Sequence, residues 1–222
     1  MYLVELIPTQ YTNATMVDQL EAFVTTAVGK GVVRCEDSPN FIANRVGVAG
    51  LMLTMIEVKN FGLGYDVVDD LTGKKMGRAS SGTYRTCDVV GIDTMAHVIK
   101  TLQVGCANDP FAAAFAMPAD VQALLDKGNF GQKTKAGFYK KDGKAIFQFD
   151  LKSGEYIPGG NKADKDVTDI LKKAPAERVK LLRESSNPQA QFIWAMLRNA
   201  FHYAAVTVEG IADTCRDVDL AL

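Results

Sequence analysis

Apolar residues near the start of the chain follow two spacings, and each spacing predicts a different element. Tyr2 to Ile7 is a short apolar run interrupted by one acid, Glu5, which predicts a strand. Helical spacing follows, with either Asn13 or Thr15 able to cap the helix. Gly31 to Cys35 predicts a second strand. This order is typical of a parallel sheet, and two strands alone leave edges and faces uncovered, so we expect the unit to belong to a larger sheet.

The middle of the chain has the spacing of helices. Residues 39–62 are largely apolar, begin with proline and end with glycine, which predicts a buried helix starting at Pro39. A short amphipathic helix is expected over residues 66–71, and a longer one over residues 81–103 that Gly91 bends or interrupts. A further helix is expected over residues 118–127.

The last third of the chain changes character twice. Glycine turns and period-two alternation predict a β-hairpin near residues 145–157, with its turn at Ser153 and Gly154. Residues 159–169 are polar and indicate a linker or a weakly ordered segment, and a charged helix over residues 175–183 follows. Asn187 and Pro188 then begin a strong helix, and another begins after Gly210. Neither end of the chain carries a closing signal, so we expect both ends to be cut.

Composition narrows the possible functions. The 222 residues carry a formal net charge of -1, which gives no reason to expect a polyanion or a membrane surface as partner. Four widely spaced cysteines and two histidines predict no metal site and a reducing, cytoplasmic setting. The chain has no glycine-rich dinucleotide or phosphate loop and no hydrolase motif, so motifs alone indicate only a mainly helical domain.

Four stretches nevertheless resemble the 3-hydroxyacyl-CoA dehydrogenase family in order and spacing. They are "YLVELIP", "DSPNFIANRVG", "GRASSGTYRTCDVVGIDTMAHV" and "GNFGQKTKAGFYKK". The nearest likeness is to the long bacterial fatty-acid oxidation forms, in which the helical domain is repeated. The resemblance implies a mainly α fold of the 6-phosphogluconate dehydrogenase C-terminal type, with a remnant strand-helix-strand and a small β-hairpin.

The resemblance also implies how the chain divides. Residues 1–37 would be the remnant of an NAD-binding domain, and residues 38–160 a first helical domain. Residues 161–187 would be a linker, and residues 188–222 the start of a truncated second helical repeat. The parent enzyme would oxidise a (3S)-hydroxyacyl-CoA with NAD in fatty-acid β-oxidation, as a homodimer. The chain itself lacks the NAD loop and is expected to be inactive alone.

Two residues match catalytic positions of that family. Glu5 matches the carboxylate that pairs with the catalytic histidine, which itself is not in this chain. The plain alternative is a surface acid on an edge strand. Asn44 matches the asparagine of the "FI.NR" segment, whose amide can bind substrate oxygens. The alternative for Asn44 is an asparagine that satisfies nearby backbone groups.

Three further positions have weaker matches. Ser38 is either a substrate contact or the cap of the following helix. Lys133 matches a lysine that reaches the cofactor, and the alternative is a solvated turn lysine. Arg78 and Arg85 could meet the phosphates of CoA or form surface pairs. The family more often has glycine where Asn40 stands.

Two other functions remain open from the sequence. The chain could be a helical module that dimerises or binds acyl groups without catalysis. It could also belong to a related 3-hydroxyacid dehydrogenase that acts on a free acid.

Overall fold

The computed structural model describes residues 2–222, and its first element is a small parallel unit. Strand β1 (Leu3–Leu6) pairs in parallel with β2 (Gly31–Arg34), and Glu5 lies opposite Val33. Helix α1 (Ala14–Thr26) connects the two strands. Of the two candidate caps, Asn13 is the one used, because its side chain accepts from the backbone N–H of Thr15 at 2.9 Å. The predicted strand-helix-strand is therefore present.

Helix α1 leaves its apolar face uncovered. Met16, Leu20 and Phe23 are spaced for one face of the helix, and they are 65%, 49% and 58% exposed. Only Val17 of this helix is buried. The helical spacing thus predicted the element, but nothing in residues 2–222 covers the stripe that it forms.

Five helices form the middle of the fold. They are α2 (Ala43–Phe61), α3 (Tyr65–Thr72), α4 (Tyr84–Val90), α5 (Ile92–Gly105) and α6 (Ala119–Asp126). Helix α2 ends as predicted, because Gly62 adopts a left-handed conformation at φ 63°. Gly91, at φ 103°, separates α4 from α5, so the expected long helix is interrupted there.

The predicted β-hairpin is confirmed, and a third strand pairs with it. Strands β3 (Tyr139–Asp142), β4 (Ala145–Asp150) and β5 (Glu155–Pro158) form an antiparallel sheet in that order. The turn between β4 and β5 contains Ser153 and Gly154, and Gly154 has φ 71°. Strand β3 was not predicted, because its sequence YKKD shows no apolar alternation.

Four helices complete the chain. They are α7 (Lys165–Leu171), α8 (Pro175–Glu184), α9 (Pro188–Thr207) and α10 (Cys215–Ala221). Helix α7 begins inside the segment that we expected to be a linker or weakly ordered, and it buries Val167 and Leu171. The division of the chain into four parts stays a prediction.

The core consists of two apolar clusters joined by α2 and α9. One cluster lies among α2 to α9 and the small sheet, and the other joins β2, the first half of α2 and α10. A partly buried polar triad of Arg45, Asp109 and Tyr203 links α2 to α9. The Nη2 of Arg45 lies 2.8 Å from Asp109 Oδ2, and its Nε donates to the hydroxyl of Tyr203 at 3.0 Å.

The mainly helical fold class is confirmed. Within residues 2–222, no helix combines the length and apolar character needed to cross a membrane.

Asp88 fastens α4 to the loop before β3. Its two carboxylate oxygens accept from the backbone N–H groups of Phe138 and Tyr139 at 2.8 and 2.9 Å. Burial, together with the charge of nearby Asp69, raises the pKa of Asp88 to about 6. The backbone of Gly137 packs so closely that a Cβ there would stand 2.1 Å from Asp88 Oδ1.

This raised pKa predicts a pH dependence of stability. An unfolded aspartate loses its proton near pH 4 while folded Asp88 keeps it to about pH 6, so the contribution of Asp88 is present at low pH and lost as the pH rises through 6. The free energy of unfolding of the wild type should therefore fall between pH 4 and pH 7. We expect this fall to be smaller in Asp88→Asn, by on the order of 1 to 3 kcal/mol.

Urea unfolding at several pH values between 4 and 7 measures the effect. Asp126→Asn, at an exposed aspartate on α6, is the matched control and should keep the wild-type slope. An unchanged slope in Asp88→Asn would show that Asp88 does not carry this pH dependence.

Candidate substrate site at the start of helix α2

A carboxylate from β1 caps helix α2. Glu5 Oε1 accepts from the backbone N–H groups of Ile42 and Ala43, at N···O distances of 3.2 and 2.8 Å. The first turn of a helix leaves N–H groups without partners inside the helix, and a negative charge is favoured there. Ile42 itself provides no side-chain cap. Glu5 is half-buried and hydrogen-bonded, so it is not a freely solvated surface acid.

Cys35 lies beside this carboxylate. Burial raises the pKa of the Cys35 thiol to about 12, and the negative charge of Glu5 adds to the rise. The thiol therefore stays protonated at neutral pH.

The turn before α2 differs from the sequence prediction. Helix α2 begins at Ala43 and not at Pro39, because Asn40 and Phe41 take left-handed conformations at φ 64° and 53°. Ser38 consequently does not cap the helix. Its Oγ and the Nδ2 of Asn40 are buried and have no hydrogen-bond partner in the part of the chain that the structure describes. Two buried polar atoms without partners thus lie next to the helix start.

Asn44 follows the capped residues directly and lines a cavity. Its side chain is exposed at the first turn of α2. The cavity has a volume of about 710 Å³ and also includes Arg78 and residues of α4, α5 and α9. The apolar part of its wall comes from Val48, Leu51, Val90, Met95, Val98 and Met196. Within residues 2–222, Arg78 forms no ion pair, so one cation without an acidic partner stands beside a mainly apolar space.

Lys133 lies apart from these residues. Its Nζ is 2.6 Å from Asp93 Oδ2, and both side chains are about half exposed. This contact lowers the pKa of Asp93. Lys133 is absent from the wall of the Asn44 cavity. The structure therefore brings Glu5, Ser38 and Asn44 together at one helix start and leaves Lys133 elsewhere.

The sequence did not predict that α9, about 150 residues after Asn44, contributes to the wall of the Asn44 cavity. Met196 and Ala200 of α9 line the cavity, and their spacing gave only the signal of a core-facing helix. Gly47 and Gly50 on α2 also line it, and their small size inside an apolar helix was the available signal. Among residues 2–222, no cluster of three or more potential ligand side chains could hold a metal ion.

Comparison with known proteins identifies the helical part. Residues 41–141 match the family model described as 3-hydroxyacyl-CoA dehydrogenase, C-terminal domain. The chain carries a 3-hydroxyacyl-CoA dehydrogenase C-terminal domain. This confirms the family resemblance in the sequence. The domain contains Asn44, Arg78 and Lys133, whereas Glu5 and Ser38 precede the matched range.

Curated relatives of this dehydrogenase domain are longer than the chain. A "Probable 3-hydroxyacyl-CoA dehydrogenase" of Bacillus subtilis is 35% identical over 99% of this chain and 28% of its own length. A "Putative fatty acid oxidation complex trifunctional enzyme" of Rickettsia felis is 25% identical over 100% of this chain and 30% of its own length. The chain thus spans less than a third of either relative.

A solved structure supports the same assignment. The crystal structure of Mycobacterium tuberculosis FadB2 superposes with a TM-score of 0.55 at 27% sequence identity. The superposition covers 64% of this chain and 48% of that one.

The NAD cofactor of the dehydrogenase family does not fit the residues that are present. A dinucleotide needs a glycine-rich turn between the first strand and helix of its unit, where backbone N–H groups approach the pyrophosphate. The loop between β1 and α1, residues 7–13, contains no glycine. Lys133, the predicted cofactor contact, is paired with Asp93. The described residues thus offer no glycine-rich turn for NAD after β1, and the cofactor contact of Lys133 stays a prediction.

The cap by Glu5 gives a direct test of how this site is held. We expect Glu5→Ala to lower the free energy of unfolding by about 1 to 2 kcal/mol, because two backbone N–H groups lose their acceptor. Glu5→Gln keeps an oxygen but removes the charge, so its loss should be smaller. Urea unfolding followed by circular dichroism measures both.

Glu36→Ala is the matched control for this test. Glu36 is an exposed acid after β2, and its removal should change stability by less than about 0.5 kcal/mol. Equal losses in Glu5→Ala and Glu36→Ala would contradict the capping role.

Proposed function

We propose that this chain is the substrate-binding region of an NAD-dependent (3S)-hydroxyacyl-CoA dehydrogenase of fatty-acid β-oxidation. The observation that carries the proposal is the position of Asn44, directly after the two amides held by Glu5 and at the wall of the cavity shared with Arg78. An apolar cavity with a few polar groups is typical of ligand sites. Membership of the dehydrogenase family supplies the substrate class.

Each residue has a proposed role in that function. The amide of Asn44 hydrogen-bonds an oxygen of the acyl substrate. The apolar wall receives the acyl chain, and Arg78 attracts an anionic part of the thioester ligand. The hydroxyl of Ser38 is buried and has no hydrogen-bond partner within residues 2–222, and its proposed role is a further contact to the substrate. Glu5 fixes the position of the helix start that presents Asn44.

The proposed catalytic role of Glu5 extends beyond this chain. In the parent enzyme a carboxylate at this position orients the histidine that removes the proton of the 3-hydroxyl group. That histidine and the NAD site belong to the part of the parent that is not in this chain. We therefore propose that the chain alone is inactive, that the parent acts in the cytoplasm, and that it forms a homodimer.

A binding experiment tests the substrate assignment. Isothermal titration should show that acetoacetyl-CoA binds the chain, and that Asn44→Ala weakens the binding about tenfold through loss of one hydrogen bond. Asn108→Ala, at an exposed asparagine after α5, should bind as the wild type does. Acetoacetate binding as tightly as acetoacetyl-CoA would contradict a CoA substrate and favour the free-acid enzyme.

An activity assay tests the proposed inactivity of the chain. The chain should show no NADH oxidation with acetoacetyl-CoA, and turnover comparable to a complete enzyme would contradict the proposal.

The uncovered face of α1 favours association as a second property. Apolar stripes of this kind are typical of surfaces that another protein covers. Light scattering should show self-association of the chain. Replacing Leu20 and Phe23 by serine should lower the average mass, whereas serine at Phe201, an exposed aromatic of α9, should not. A monomeric wild type would contradict this property.

A further inference from the structure

A second concave site lies on the opposite face of α4 from the Asn44 cavity. Thr83, Thr86 and Val90 line the Asn44 cavity, whereas Arg85 and Asp88 line an open groove of about 530 Å³. Residues three apart on a helix share a face, so the two sites use different sides of α4. The other wall of the groove comes from the loop before β3 and from the turn between β3 and β4.

Four basic side chains meet in this groove. They are Arg85, Lys135, Lys140 and Lys141. All four are exposed, and none forms an ion pair within residues 2–222, although the Nζ of Lys140 lies over the ring of Tyr156, 5.7 Å from its centroid. Lys133 lies two positions before Lys135 but is paired with Asp93. The four come from separate segments that the fold brings together, in a chain whose formal net charge is only -1.

Asp88, the one acid in the wall, forms no ion pair with these cations within residues 2–222, although the charge of Arg85 acts to lower the pKa of its carboxyl group. Both oxygens of Asp88 are occupied by the backbone N–H groups of Phe138 and Tyr139. The guanidinium of Arg85 lies over the ring of Tyr139, with its Cζ 5.1 Å from the ring centroid. An aromatic ring and cations without an acidic partner in the described residues therefore line the same groove.

The shape of the groove decides which anion fits. Its volume lies within the range of small-molecule sites, roughly 300 to 1,000 Å³. A stable protein partner would need about 800 Å² of each surface, whereas ten residues line this groove. Arginine and lysine together are suited to phosphate oxygens.

We propose that this groove binds the phosphate groups of a small nucleotide-bearing ligand. The ligand is either a free nucleotide or the nucleotide portion of a larger molecule such as a CoA thioester. The groove shares no lining residue with the Asn44 cavity, so binding of a free nucleotide would stand apart from the proposed dehydrogenase function, whereas binding of a CoA thioester rests on it.

Adenosine 3',5'-bisphosphate is the probe, with adenosine as the form without phosphate. Isothermal titration of the whole chain at low salt should show that the bisphosphate binds and adenosine does not. Exchanging Lys135, Lys140 and Lys141 for glutamine should weaken the binding about tenfold or more. The control variant exchanges Lys100, Lys165 and Lys180, which are also exposed, and should bind as the wild type does.

Two further measurements separate the outcomes. Amide chemical shifts of the wild type, which need no variant, should change around residues 85–88 and 131–146. Competition with acetoacetyl-CoA separates the sources: displacement that depends on the three lysines indicates the nucleotide portion of a thioester, and its absence indicates a free nucleotide. Absence of bisphosphate binding, equal losses in both triple variants, or shifts confined to residues 44–54 and 77–83 would overturn the proposal.

Discussion

The contact between Glu5 and the first amides of α2 holds the candidate site together. It crosses from the parallel unit to the helical part, since Glu5 lies on β1 and its partners are Ile42 and Ala43. The turn between them has two consecutive left-handed residues, a conformation that needs support from its surroundings. A carboxylate provides that support more strongly than a neutral group would, because the helix start carries a partial positive charge. The interaction thus fixes the two backbone groups directly before Asn44.

Local signals predicted the elements whose causes are local. Asn187 and Pro188 mark the start of α9, Gly62 ends α2 and Gly91 divides α4 from α5, and each of these depends on a single residue and its neighbours. The prediction that α2 starts at Pro39 was wrong, because the group that caps the helix lies on a strand 37 residues away. Strand β3 and helix α7 were missed, since one is polar and the other has only two buried residues.

The candidate site was predicted through resemblance and not through residue chemistry. Glu5 and Asn44 stand in different elements, and no spacing rule joins them. The pairing of Lys133 with Asp93, 40 residues earlier, was equally invisible, because an ion pair depends on the fold and not on the sequence around it. The two cavities on either side of α4 show the same limit, since alternate positions of one short helix contribute to separate sites.

The segment after α9 packs against the end of β2 and so joins the two ends of the chain. Cys35 pairs with Ala212 in an antiparallel bridge, and the N–H of Glu36 donates to the carbonyl of Ile211 at 3.1 Å. Val33, which is 1% exposed, belongs to the same apolar cluster as Ile211 and Val218. A protease that removed the last dozen residues would therefore uncover the first sheet as well. The rate at which a protease removes the C-terminal residues would therefore show whether the N-terminal sheet is folded.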